Sequence, residues 1–285
     1  MPFLPVTKEE MNKLGWERPD FIYVCGDAYV DHSSFGAAII CRMLESYGYK
    51  VCIISQPDWH STNDFTRFGE PRLAFLVSAG NIDSMVNHYT VAKKRRSKDA
   101  YSPGGQAGLR PDRATIVYCN KIREAYKNAA IVIGGIEASL RRLSHYDYWD
   151  NKVRRSILLD SGADLLLYGM GEHQIIELAE ALDSGLPIQE ITYLKGSVYK
   201  TRDRERIGEC LWLPAYEETS RDKNKYSESF MLQYSNTDFI TAKTLAEEYR
   251  EGIVVQNPPS PPLGQDELDR VYSLPFMRTY HPMYE

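Results

Sequence analysis

The 285 residues contain no two cysteines within four positions of each other. Cys25, Cys41, Cys52, Cys119 and Cys210 stand apart and are odd in number. That spacing excludes a CxxC zinc pair and the CxxxCxxC triplet that holds an iron–sulfur cluster, and it leaves reduced, buried thiols as the reading of most of them. No apolar run is long enough to cross a bilayer. The first residues, Met1-Pro-Phe-Leu-Pro-Val-Thr-Lys8, lack the charged and apolar blocks of a secretory signal, so a cytoplasmic location without membrane attachment is expected. A positive excess is also missing. The net charge of −5 argues against nucleic-acid binding driven by overall charge. No Walker loop, GxGxxG after the first strand, GxSxG elbow or HExxH helix occurs, so the NTPase, dinucleotide, α/β-hydrolase and zincin readings have no motif to rest on.

What is present is a folded composition, 43% hydrophobic and 26% charged with twenty tyrosines. Short apolar runs at 21–25, 51–54, 73–77, 131–133 and 165–167 alternate with helical patterns at 37–47, 112–126 and 172–182. Short, wholly apolar runs are how strands covered on both faces look, and alternation with helices implies right-handed crossovers into a parallel sheet. The expectation is an α/β domain over residues 1–185, with a flavodoxin-like five-stranded parallel sheet in the order 2-1-3-4-5. A smaller α+β extension over 186–285 is expected to carry short strands at 191–194, 197–200 and 210–213, a helix at 237–250 and another at 266–272.

In open α/β sheets the carboxyl ends of the strands bind ligands. Three segments fall there. Gly26-Asp-Ala-Tyr-Val-Asp-His-Ser-Ser-Phe-Gly36 follows the first strand and is the densest polar constellation. Asp27, Asp31, His32 and Ser33 are candidate ligand contacts: Ser33 or Ser34 would cap the next helix, and His32 would orient a ligand or serve as a metal or cobalt ligand. Against this, the two aspartates also read as turn formers. Gly134 and Gly135 permit close approach of a ligand to the backbone, with Glu137 meeting a ligand hydroxyl or capping a helix; tight packing explains the glycines equally well. Gly169 and Glu172 repeat the pattern. Arg141, Arg142, Arg154 and Arg155, interleaved with His145-Tyr-Asp-Tyr-Trp149, would grip phosphate or RNA, or else form an ion-pair region.

The first of these segments, together with Gln56-Pro-Asp-Trp59, Ala79-Gly-Asn-Ile-Asp-Ser-Met85, Gly108-Leu-Arg-Pro-Asp-Arg-Ala114, Gly134-Gly-Ile-Glu-Ala-Ser-Leu-Arg-Arg142 and Val153-Arg-Arg-Ser156, closely resembles the N-terminal region of the YgiQ family of radical S-adenosylmethionine proteins. The likeness covers nearly the whole chain. It implies a cobalamin-binding-type α/β domain that precedes a radical S-adenosylmethionine barrel, the latter carrying a [4Fe–4S] cluster and S-adenosylmethionine. It further implies that this chain ends about where that barrel begins, and that the barrel is the partner of the domain. One departure is evident: base-off cobalamin domains use DxHxxG, whereas here Asp31 directly precedes His32 and three residues separate His32 from Gly36. Cobalt ligation by His32 is therefore not implied.

Overall fold

The computed structural model describes residues 2–285. Contacts divide the chain into two compact units, Met1–Glu137 with Leu263–Glu285, and Ala138–Pro262. The fold is mixed α/β. Nine strands carry the main pairing, four in the first unit and five in the second.

In the first unit β1 (Phe21–Cys25), β2 (Val51–Ser55) and β3 (Ala74–Ser78) are buried along their whole length, as their unbroken apolar runs require. With β4 (Ile131–Ile133) they form a parallel array in the order β2-β1-β3-β4. The order reverses direction between β1 and β3, which makes their carboxyl ends the switch point of the sheet. The Gly36–Ser46 helix follows the first loop and turns Ala38, Cys41 and Leu44 inward. The Ala114–Ala125 helix buries Tyr118, Cys119 and Ile122. Asp112, at the start of the helical pattern read from the sequence, lies outside that helix; it accepts a hydrogen bond from the Tyr89 hydroxyl (2.7 Å) and shares one with His88 Nδ1 (2.6 Å). Arg113, at φ +52°, occupies the cap position. Capping comes from a distance: the Ala114 N–H donates to Ser84 Oγ and the Thr115 N–H to the Glu137 carboxylate.

The second unit contains β5 (Leu165–Leu167), β6 (Ser197–Thr201), β7 (Cys210–Trp212), β8 (Thr244–Tyr249) and β9 (Gly252–Gln256), ordered β5-β6-β9-β8-β7. The fifth apolar run of the sequence is thus β5, and within this unit it pairs antiparallel with β6. The β6–β9 and β8–β9 pairs are also antiparallel, and β7–β8 is parallel. The helix expected at 237–250 is not formed; the later part of that segment, Thr244–Tyr249, is β8. Leu245, Glu247 and Tyr249 share the buried face of a period-two strand. The Glu247 carboxylate is held there by the Ser144 N–H (2.8 Å) and the Tyr249 hydroxyl. Good helix formers in the segment are overridden by these tertiary bonds. The helix lies earlier, at Lys223–Tyr234, capped by Asp222. Nor do residues 191–194 form a strand, because the Asn257 side chain takes the Thr192 and Leu194 carbonyls.

Among the described residues no helix is long and apolar enough to cross a membrane.

Candidate functional site

The loop after β1 begins with a close approach. A Cβ on Gly26 would lie 2.2 Å from the Ala79 carbonyl oxygen, so only glycine lets the ends of β1 and β3 pass. Asp27 then turns inward. One carboxylate oxygen accepts the Asn81 N–H at 2.7 Å, and the other lies 2.9 Å from Arg110 Nη2. Arg110 is fully buried; it also binds the Asp99 carboxylate at 3.1–3.2 Å and donates to the Ala79 carbonyl at 2.8 Å. One guanidinium therefore serves two buried carboxylates. Burial raises Asp27 to about 6, against the pull of Arg110, and the nearby Asp99 charge adds to the rise. The cluster has a mechanical consequence. Asp99 Oδ1 accepts the Tyr101 N–H, and the Ala28 N–H donates to the Tyr101 carbonyl, so the glycine-rich loop around 97–108 is fastened to the end of β1.

Asp31 does the same for another segment. It is fully buried and held bidentate by Arg42, which is itself fully buried and also reaches Glu45 at 2.6 Å. Asp31 accepts the Met277 N–H through its carboxylate (3.0 Å) and the Arg278 N–H through its carbonyl (2.8 Å). Thr279 and Tyr280 pair antiparallel with Asp31 and Val30. The His281 N–H donates to the Tyr29 carbonyl, and the Tyr284 hydroxyl accepts the Tyr29 N–H at 2.8 Å. Residues 277–284 thus form a strap across the loop after β1.

The other expected contacts divide. His32 Nδ1 accepts the Ser34 N–H at 3.1 Å and lies 2.8 Å from Ser34 Oγ. Ser34 thus engages Nδ1 within the loop itself. Ser33 is half-buried and does not cap the following helix, whose cap residue is Phe35 with no side-chain bond. Gly134 continues β4, its N–H bonded to the Val77 carbonyl, and Gly135 sits at φ +79° at the switch point, 3.3 Å being the distance from its notional Cβ to Ser78 Cβ. Glu137 turns inward: 1% exposed, it accepts from the N–H and hydroxyl of Ser84 and from the Thr115 N–H, tying two helix starts together. Asp27, Gly134 and Gly135 are therefore gathered at one edge of the first unit. Gly169 and Glu172 belong to the second unit, where Gly169 takes φ +76° and Glu172 is buried at the start of the Glu172–Asp183 helix.

The four candidate arginines, all in the second unit, are engaged. Arg142 bonds Gln256 Oε1 (2.7 Å) and the Ser139 carbonyl (2.6 Å) and lies over the Tyr168 ring. Arg154 pairs with Asp147 and Asp150, and Arg155 with Asp160 and Glu251. Arg141 is buried, and desolvation lowers it to about 10. This is the ion-pair arrangement that the sequence allowed beside the phosphate-gripping one.

Two spaces open at the switch point of the first unit. The inner one, of about 40 Å³, lies among Tyr23, Cys25, Asp27, Ser78, Gly80 and Gly135, with room for about one water. The outer one is a half-open groove of about 270 Å³ walled by Phe35, Tyr101, Ser102, Pro103, Tyr280 and Tyr284. Sequence reasoning missed Arg110, Arg42 and this whole aromatic wall. The signals were there: Arg110 sits in the family-like Gly108-Leu-Arg-Pro-Asp stretch, and an arginine within the apolar stripe of a helix, as at Arg42, announces a buried carboxylate.

Among the described residues no three His, Cys, Asp or Glu side chains gather where a metal ion could be held, and four of the five cysteines are buried.

The first unit is thus an α/β unit with an inward-braced loop and an open groove at its switch point. The chain belongs to the radical SAM N-terminal family, which it matches over residues 3–285. It is 56% identical over 285 residues to a UPF0313 protein of Clostridium botulinum strain 657, a match spanning 100% of this chain and 45% of that protein. A UPF0313 protein of Clostridium perfringens ATCC 13124 is 58% identical over 284 residues, 99% of this chain and 43% of the relative. The chain thus spans less than half the length of these curated relatives and corresponds to their N-terminal domain.

Proposed function

We infer that this chain is the accessory, substrate-side domain of a radical S-adenosylmethionine protein. In that reading the remaining half of the polypeptide carries the CxxxCxxC segment, the [4Fe–4S] cluster and S-adenosylmethionine. The strand-end loops of the first unit then face the catalytic half and help to seat its substrate. The observation that carries the reading is the β2-β1-β3-β4 order, with a groove opening at the point where it reverses. The same order supports a flavodoxin-like first unit, of the kind that cobalamin domains share. The chemistry of His32 and the water-sized inner cavity speak for a relative of that fold that does not ligate cobalt through histidine.

The test is hydrogen exchange on a full-length relative, such as the Clostridium perfringens protein, beside the same protein cut to the region matching this chain. Amides corresponding to 28–35 and 97–105 gain protection in the whole protein. Protection confined to the opposite strand ends, near 18–20, 48–50 and 71–73, would overturn the reading.

A further inference from the structure

The outer groove is unlike the rest of the edge. Its lining includes four aromatic rings, Phe35, Tyr101, Tyr280 and Tyr284, and no charged side chain. At about 270 Å³ it falls just below the roughly 300–1,000 Å³ of pockets that take drug-sized ligands, so it suits a single ring system. A charged group inside it would lose hydration without gaining a counter-ion, and so its occupant is neutral there. The backbone beneath two of the rings is held in advance. Tyr101 is pinned by Asp99 and Ala28, and Tyr280 by its ladder to Val30 next to the buried Asp31–Arg42 pair. Phe35 and Tyr101 already meet edge to face, with centroids 6.3 Å apart. Preorganised aromatic walls lower the ordering cost of binding a flat partner. Yet Tyr280 remains half exposed, an aromatic surface held rigid and left uncovered. Hydroxyls supply the polar edge: those of Tyr101 and Tyr280, and Ser102 Oγ, which is positioned by Gln56 Nε2 at 2.7 Å. The chain enters this wall through the exposed cations Lys94, Arg96 and Lys98, a few residues before Tyr101.

We propose that this groove binds one neutral heteroaromatic ring of the nucleobase class, stacked on its tyrosine walls with the ring edge against the hydroxyls. The inference deepens the reading of this edge as the substrate-facing one. Rings of this class arrive on a free nucleoside or nucleotide, or splayed from a single-stranded RNA, and the chemistry in the groove is the same.

The experiment is calorimetric titration of the 285-residue chain with adenosine, with a hexa-adenylate RNA, and with cyclohexanol as a saturated-ring control. Saturable binding of adenosine identifies a free ligand as sufficient; binding of the hexamer alone identifies the single strand as the source. In either case Tyr101→Ala and Tyr280→Ala each weaken binding by about tenfold or more, the scale of one lost ring–base stack. Tyr280→Ala, a change at a half-exposed ring, leaves the unfolding temperature unchanged and so separates binding from folding. The proposal is overturned if neither probe binds, if cyclohexanol binds as well, or if both variants bind like the parent. Absence of ring binding together with intact strand-end protection in the full-length relative would remove this inference and leave the accessory-domain reading standing.

Discussion

The fully buried arginine–carboxylate pairs lie in the first unit. There Arg42 and Arg110 are fully buried, Arg110 closed by the hidden carboxylates of Asp27 and Asp99, and Arg42 by the hidden Asp31 with the part-exposed Glu45. In the second, Arg154, Arg155, Arg204 and Arg206 pair at or near the surface, with Arg206 and Glu190 each about half exposed. Solvent screens surface pairs and leaves them worth little, while breaking a buried pair strands a charge in low dielectric. The lesson concerns function. A dense polar loop at a strand end reads as a ligand contact, yet Asp27 and Asp31 are braces, and the surface they hold in place is aromatic.

Stability measurements can break this comparison. The largest effect is expected at the buried pair: Arg42→Met leaves Asp31 uncompensated and costs about 3–5 kcal/mol in urea unfolding. In the same assay Arg206→Ala, at a half-exposed pair, shifts stability by no more than about 0.5 kcal/mol. Equal losses at both sites would erase the distinction between the units. Gly80→Ala comes next. At φ +111° with a notional Cβ 2.0 Å from Asp27 Oδ1, it strains the backbone and displaces the Asp27 brace together, for a loss of about 2–4 kcal/mol. A neutral outcome there would mean that Asp27 can leave Arg110 without consequence.

Much of this was legible in the chain, unevenly. The apolar runs of β1 to β4 are fully buried and unambiguous, so their strands could be read directly. The second unit was harder because its strand β8 is built from helix formers such as Leu245, Ala246, Glu247 and Glu248, and what makes it a strand lies about a hundred residues away at Ser144. The Lys223–Tyr234 helix escaped notice for the converse reason: it buries only Ser229 and shows no apolar stripe. At the site, the sequence located the edge through its glycines but not the direction of its side chains. Whether Asp27 and Asp31 point outward or inward is decided by Arg110, 83 positions from Asp27, and by Arg42 with the strap from 277–284. A single sequence marks Arg42 as needing a carboxylate but does not say which one, and the groove exists only because three distant segments meet.

The inward brace is tested most directly by following the Asp27 carboxyl carbon by NMR as pH is varied. A carboxyl shut in with one shared guanidinium titrates near 6, above the ordinary 3.8. The sign follows by linkage: the folded state holds the proton more tightly, so the stability Asp27 contributes is full below 3.8 and falls as pH rises through about 6. The stability difference between the parent and Asp27→Asn therefore shrinks across that window. Titration at or below the ordinary value, with a pH-independent difference, would contradict the account and return Asp27 to the solvent-facing, ligand-contacting role.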